Sequence, residues 1–124
     1  MMEKNAIGKI LWSDLTVENA KEIRDFYAAV IGWRFEPVNQ GDYEDYNMIN
    51  ADGSIVSGIC HNKGGNKNLP AQWLNYITVD SLSSSIAQVE KLGGEVVDGP
   101  RKAGNQQFAV IKDPAGAYFA LFEE

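Results

Sequence analysis

Residues Lys112–Glu124 read KDPAGAYFALFEE, a tight Asp-Pro-Ala-Gly turn that runs into an almost unbroken apolar stretch. Alternate side chains of a strand face opposite ways, so Ala117, Phe119 and Leu121 share one side and Tyr118, Ala120 and Phe122 the other. Both sides are apolar. A strand with one face in water carries polar residues at every second position, so this strand is covered twice. A helix layer supplies one cover. The other must come from elsewhere in the chain, from another subunit or from a bound ligand.

The residues upstream show what supplies the helix layer. WLNYITVD (73–80) reads as a strand, and SLSSSIAQVEKLGG (81–94) as a helix with Leu82, Ile86 and Val89 inward, capped by Ser81 and ended by Gly93-Gly94. EVVDG and QQFAVIKD are strand-like and lead into the final strand, with DGPRKAGNQ (98–106) as a loop. The first half of the chain follows the same order. GKILWSD is a short apolar run, and TVENAKEIRDFYAAVIG then places Ala20, Ile23, Tyr27 and Val30 on one helical face, with Thr16 as N-cap and Gly32 as stop. WRFEPV, DYEDYNMIN and SIVSGICH follow as strands, separated by the turn signals Gly41-Asp42 and Asp52-Gly53. The two halves align, VIGWRF with KLGGEV and INADGSIVSG with IKDPAGAYFA. The fold class is α+β, two βαβββ modules in a single domain spanning 1–124. Module one covers about 7–61, a Gly/Asn/Lys-rich linker about 62–71, and module two about 72–124.

Composition narrows the function classes. A chain of 124 residues, 44% hydrophobic and 23% charged, is one ordinary globular domain, and no apolar run approaches the length needed to span a bilayer. The start, MMEKNAIGKI, lacks an apolar signal core, and a lone cysteine, Cys60, forms no intrachain disulfide, so a reducing cytoplasm is expected. The net charge of −6, with basic residues scattered, disfavours nucleic acid as a partner.

DLTVENAKEIRDFYAAVIGW, YITVDSLSSSIAQVEKLGGEV and VIKDPAGAYFALFEE, in that order and spacing, resemble the vicinal oxygen chelate superfamily: the glyoxalases, bleomycin-resistance proteins and extradiol dioxygenases. The resemblance covers residues 7 to 124. It implies that the modules curl into an open, mixed β-sheet barrel around a cleft with the helices outside, and that the protein is a homodimer. Whether a cleft is built within one chain or across two is open.

Relatives of that kind generally hold a divalent metal through His, Gln or Glu on the first and last strands of each module. The matching positions here are Trp12, Ser57 or Gly58, Leu74 and Ala120, none a usual ligand. The expectation is no metal and no cofactor. Cys60 and His61 are adjacent, so a strand turns them to opposite faces and they do not form a catalytic pair. A fallback metal site would join His61 to Glu44, Asp45 or Asp80. Glu44 and Asp45 likewise face apart and read as solvated hairpin residues. NKGGNKN lacks the strand-to-helix setting of a phosphate loop.

The aromatic residues remain. Trp12, Tyr46, Tyr76, Tyr118 and Phe122 are the expected ligand-binding set, with Ile10 and Leu74 beside them. The leading expectation is a glyoxalase-like protein that has lost the family metal ligands and binds or sequesters a small organic molecule in an aromatic cleft. Two alternatives stand beside it: a lyase or isomerase with a relocated metal or with Tyr76 or Tyr118 as proton carrier, and a structural or regulatory dimer whose cleft is filled.

Overall fold

The repeat is present as βαβββ followed by βαβββ. A computed structural model describes residues 6–124, with β1 Ile10–Val17, α1 Ala20–Ile31, β2 Arg34–Asn39, β3 Glu44–Ile49, β4 Ile55–His61, β5 Trp73–Thr78, α2 Leu82–Lys91, β6 Glu95–Ala103, β7 Gln106–Lys112 and β8 Tyr118–Glu123. The strands pair in mixed parallel and antiparallel fashion, which makes the fold α+β. Among the described residues no helix is long and apolar enough to cross a membrane. Contacts divide the described residues into Ser13–Trp73 and a second unit that joins Leu74–Glu124 to residues 6–12. The N-terminal residues group with module two because Thr78 holds them: its N–H donates to Lys9 O, its carbonyl accepts from Gly8 N–H, and its hydroxyl bonds Ala6 O.

In module one the strand order is β2-β3-β4-β1, with β1 parallel to β4 from Asp14 opposite Gly58 to Val17 opposite His61. The helix-facing core gathers Leu15, Val17, Ala20, Tyr46, Met48 and Ile59, and Ile23, Tyr27, Trp33 and Trp73 pack against it. Trp73 Nε1 donates to the Tyr27 hydroxyl at 3.0 Å. Gly32 ends α1 as expected: its φ of 86° suits a residue without Cβ, and its N–H reaches Ala28 O. The start of α1 differs from expectation. Thr16 is not the cap but a buried β1 residue opposite Cys60, because pairing with β4 continues to Val17, and Asn19 stands at the N-cap position. Val30, expected inward, is 64% exposed, since Ala20, Ile23 and Tyr27 define the buried stripe and Val30 is rotated to its edge.

In module two the order is β5-β8-β7-β6, with β5 parallel to β8 and the other pairs antiparallel. Leu82, Ala109, Ile111 and Leu121 form the buried core, joined by Val79, Ile86, Val89, Val96 and Phe119. Phe119 and Leu121 thus meet α2, as their alternation along β8 requires. Ser81 Oγ accepts from Ser84 N–H and caps α2. DGPRKAGNQ is not a loop. β6 runs on to Ala103, its register shifting between Val96 and Asp98 and again between Asp98 and Arg101 around a cis Gly99-Pro100 bond, and the reversal occurs at Gly104-Asn105. These irregularities admit a proline to a strand that has only one neighbour.

Leu82, the first residue of α2, is 1% exposed, and its truncation to alanine is expected to cost about 2–5 kcal/mol, against about 1 kcal/mol for Ser81→Ala at the cap. Urea unfolding of the two variants measures both losses, and equal losses would refute this account of the α2 core.

Candidate functional site

The face of module two turned away from α2 is built row by row from strand register. Ala120 on β8 lies between Tyr76 on β5 and Val110 on β7, and Ala120 and Val110 are both fully buried. In the next row Phe122 lies between Thr78 and Phe108, and Phe108 pairs with Arg101 of β6. Tyr118 sits opposite Lys112. Two small apolar side chains therefore form a floor, and larger rings stand around it.

The contacts on this face are aromatic and cationic. The rings of Tyr76 and Phe108 lie 6.1 Å apart, and the Arg101 guanidinium sits 4.8 Å from the Phe108 centroid. Arg101 Nη2 is 2.8 Å from Asp98 Oδ2, and the Lys112 ammonium is 5.9 Å from the Tyr118 ring. Flat rings over a small apolar floor suit a planar apolar molecule, and the two cations suit an oxygen-bearing group at its edge.

Of the aromatic residues singled out in the sequence, the structure brings Tyr76, Tyr118 and Phe122 onto this one face, all half-buried. Trp12 is half-buried on β1, on the side opposite Leu15 and Val17. Ile10 is 60% exposed and Leu74 buried. Tyr46 is a correction. It is 5% exposed in the helix-side core of module one, its ring 6.0 Å from Phe35 and beneath the Arg24 guanidinium at 4.7 Å. Its partner in register, Ile59, is also core, so the β3–β4 pairing turns Tyr46 toward α1. Phe108, Val110, Arg101 and Lys112 were missed as members of the face. The alternation in QQFAVIKD carries the signal for Phe108 and Val110, whereas Arg101 stood in a presumed loop.

A glyoxalase-like domain family model matches residues 13–122. The chain belongs to the glyoxalase-like family. It is 30% identical over 136 residues to the anthracycline biosynthesis protein DnrV of Streptomyces peucetius, covering 99% of this chain and 50% of DnrV. The counterpart DauV of Streptomyces sp. strain C5 is 28% identical with the same coverage, so the chain spans about half the length of these curated relatives. Among solved structures, a glyoxalase/bleomycin resistance protein/dioxygenase superfamily member from Vibrio splendidus superposes with a TM-score of 0.62 at 11% identity, covering 91% of this chain and 97% of that one. Methylmalonyl-CoA epimerase of Streptomyces coelicolor, in complex with 2-nitronate-propionyl-CoA, gives 0.58 at 14%, covering 95% and 98%. These likenesses show a shared fold.

For a glyoxalase-like protein the metal question turns on donor chemistry. Leu74 and Ala120 are fully buried carbon side chains, Gly58 has no side chain, Ser57 turns toward the helix side with Met48, and Trp12 offers only an indole N–H. This set does not fit a divalent ion, which needs several lone-pair donors converging on one point. The fallback set fails too. His61 Nδ1 lies 2.7 Å from the Glu44 carbonyl oxygen and 3.6 Å from Asp45 Oδ1, and the same Asp45 oxygen accepts the His61 backbone N–H at 2.8 Å. Among the described residues no three His, Cys, Asp or Glu side chains gather as a metal set. Asp45 itself is 7% exposed, unlike the solvated hairpin residue expected.

Cys60 faces Thr16 across β1 and β4. Burial, followed by the carboxylates of Asp14 and Asp45, pushes its thiol well above the ordinary range. The thiol stays protonated in the folded protein and is a poor nucleophile. Ellman's reagent at pH 8 is expected to label Cys60 slowly until denaturant is added. The sign of the linked pH effect follows from the same shift. The unfolded chain loses this proton first, so stability falls as pH rises past about 8.5, and Cys60→Ala removes that part of the loss. Fast labelling of the native protein would overturn this environment for the thiol.

Proposed function

We propose that this glyoxalase-like protein binds a small, flat organic molecule on the aromatic face of module two, without the divalent metal of its relatives. The observation that carries the reading is the buried Ala120–Val110 floor bordered by Tyr76, Tyr118, Phe122 and Phe108. The rings cover that floor and are themselves only half-buried, so they offer apolar faces on which a planar ligand can stack. The lack of lone-pair donors at Leu74 and Ala120 supports binding or sequestration over metal-assisted chemistry. The names of DnrV and DauV, anthracycline biosynthesis proteins, support a fused-ring aromatic ligand. Arg101 and Lys112 would meet the oxygen substituents of such a molecule.

A second reading keeps catalysis, with Tyr76 or Tyr118 moving a proton. The Lys112 ammonium beside the Tyr118 ring favours it, since a cation at that place would meet the charge of an enolate developing on the ligand. The homodimer and the cytoplasmic setting expected from the family resemblance and composition belong to the same proposal.

Calorimetric titration with a panel of polycyclic aromatic hydroxyketones tests the leading reading. At least one is expected to saturate at one site per chain, and Phe122→Ala or Phe108→Ala to weaken it about 10-fold. Protein purified without chelators is expected to carry metal far below one ion per chain by elemental analysis. A panel without saturable binding, or stoichiometric zinc, nickel, manganese or iron, would overturn the reading. Tyr118→Phe separates the alternative, because it leaves binding intact and abolishes turnover only if Tyr118 moves the proton.

A further inference from the structure

The opposite side of the module two sheet holds a cavity of about 340 Å³. It lies between α2 and strands β7 and β8, with Val89, Leu92, Ile111, Phe119 and Leu121 among its walls and Ser85 and Gln88 on the helix above. Its lining is almost wholly carbon, and Leu92, 67% exposed, stands at its rim. The Asp113 carboxylate also borders it, but Oδ1 is taken by the N–H groups of Ala115 and Ala117 at 2.8 and 3.0 Å.

The internal repeat shows why the space is unfilled. The alignment of VIGWRF with KLGGEV sets Trp33 against Gly94, and counting along the helices from their N-caps, Asn19 and Ser81, sets Tyr27 against Val89. In module one those two rings stack at 6.1 Å and pack on the core that contains Ile59, the counterpart of Leu121 by strand register. Module two has neither ring. Phe119, which stands where module one has Ser57, recovers only part of the volume. Gly94 cannot restore it, since a Cβ there would fall 2.9 Å from Val89 Cγ1 and 3.1 Å from the Lys112 carbonyl oxygen.

We propose that this cavity is a second binding site that takes a neutral, planar aromatic molecule of about indole size. The occupant follows from the module that fills the same place with its own side chains, an indole against a phenol. The carbon lining disfavours an ion of either sign, and the Asp113 carboxylate only borders the site, held there by the Ala115 and Ala117 N–H groups. The volume lies in the range of small-molecule pockets. This site is independent of the aromatic face, from which it is separated by the thickness of the sheet.

Titration of the full chain with indole, followed through the methyl signals in carbon-resolved NMR, tests the proposal. Saturable shifts are expected at Val89, Leu92, Ile111 and Leu121, with cyclohexanol, similar in size but not planar, binding about 10-fold more weakly. Gln88→Trp sets an indole on the exposed helix position above the cavity and is expected to weaken added indole at least about 10-fold while the protein stays folded. Ser85→Phe provides the same occlusion should Gln88→Trp fail to fold. Shifts confined to Val110 and Ala120 would assign indole to the aromatic face and overturn the proposal. So would the absence of saturation, equal binding of cyclohexanol, or unchanged affinity in a folded occluding variant.

Discussion

Strand β8 is the constraint on which module two depends, because it has no face it can leave in water. Leu121 and Phe119 need α2, and Ala120, Tyr118 and Phe122 need cover on the other side. Burying an aromatic or leucine side chain is worth roughly 1.5–3 kcal/mol, so a strand with four such side chains holds its register firmly. A slip of one residue would put Ala120 against the helix and Leu121 among the rings. The partners share the requirement: Ala109 and Ile111 on β7 join the helix side, while Phe108 and Val110 join the other.

Much of this was legible in the sequence because strand alternation and helical period are local signals. The split of AYFALF into two faces, the Ser81 cap and the Gly32 stop were all read from neighbours within a turn or two. The errors share a different origin. Thr16 has the chemistry of a cap, but pairing of β1 with β4 carries the strand past it, and that partner is distant in the chain. Tyr46 looked like a site residue because it is aromatic on a strand. Its direction depends on register with β4, where Met48 faces Ser57 and a shift follows before Ile49 pairs with Ile55. Arg101 was assigned to a loop because Gly99-Pro100 reads as a break, whereas the strand absorbs the break by shifting register.

The two modules also show how one plan yields two interiors. Module one fills its helix side with Tyr46, Tyr27 and Trp33, and Trp73 at the start of β5 joins them through its hydrogen bond to Tyr27. Module two places Ala109, Val89 and Gly94 at the positions matching Tyr46, Tyr27 and Trp33, and its aromatic side chains lie chiefly on the opposite face. Aromatic volume has moved from one side of the sheet to the other. That redistribution gives module two both a ring-lined surface and an unfilled space beneath α2, and it follows from a few substitutions against an unchanged backbone plan.

Ala120 ties the scaffold to the chemistry. A last-strand position that holds a carboxylate in a metal-binding relative must aim that group into open space and satisfy its charge there. Here the position is enclosed between Tyr76 and Val110 and is fully buried, so a carboxylate would be surrounded by rings and aliphatic carbon with no ion to neutralise it. A methyl group at the same point closes the floor and lets the surrounding rings set the depth of the face. On the proposed reading, the alanine that offers no lone pair to a metal is also the residue that closes the floor beneath the rings.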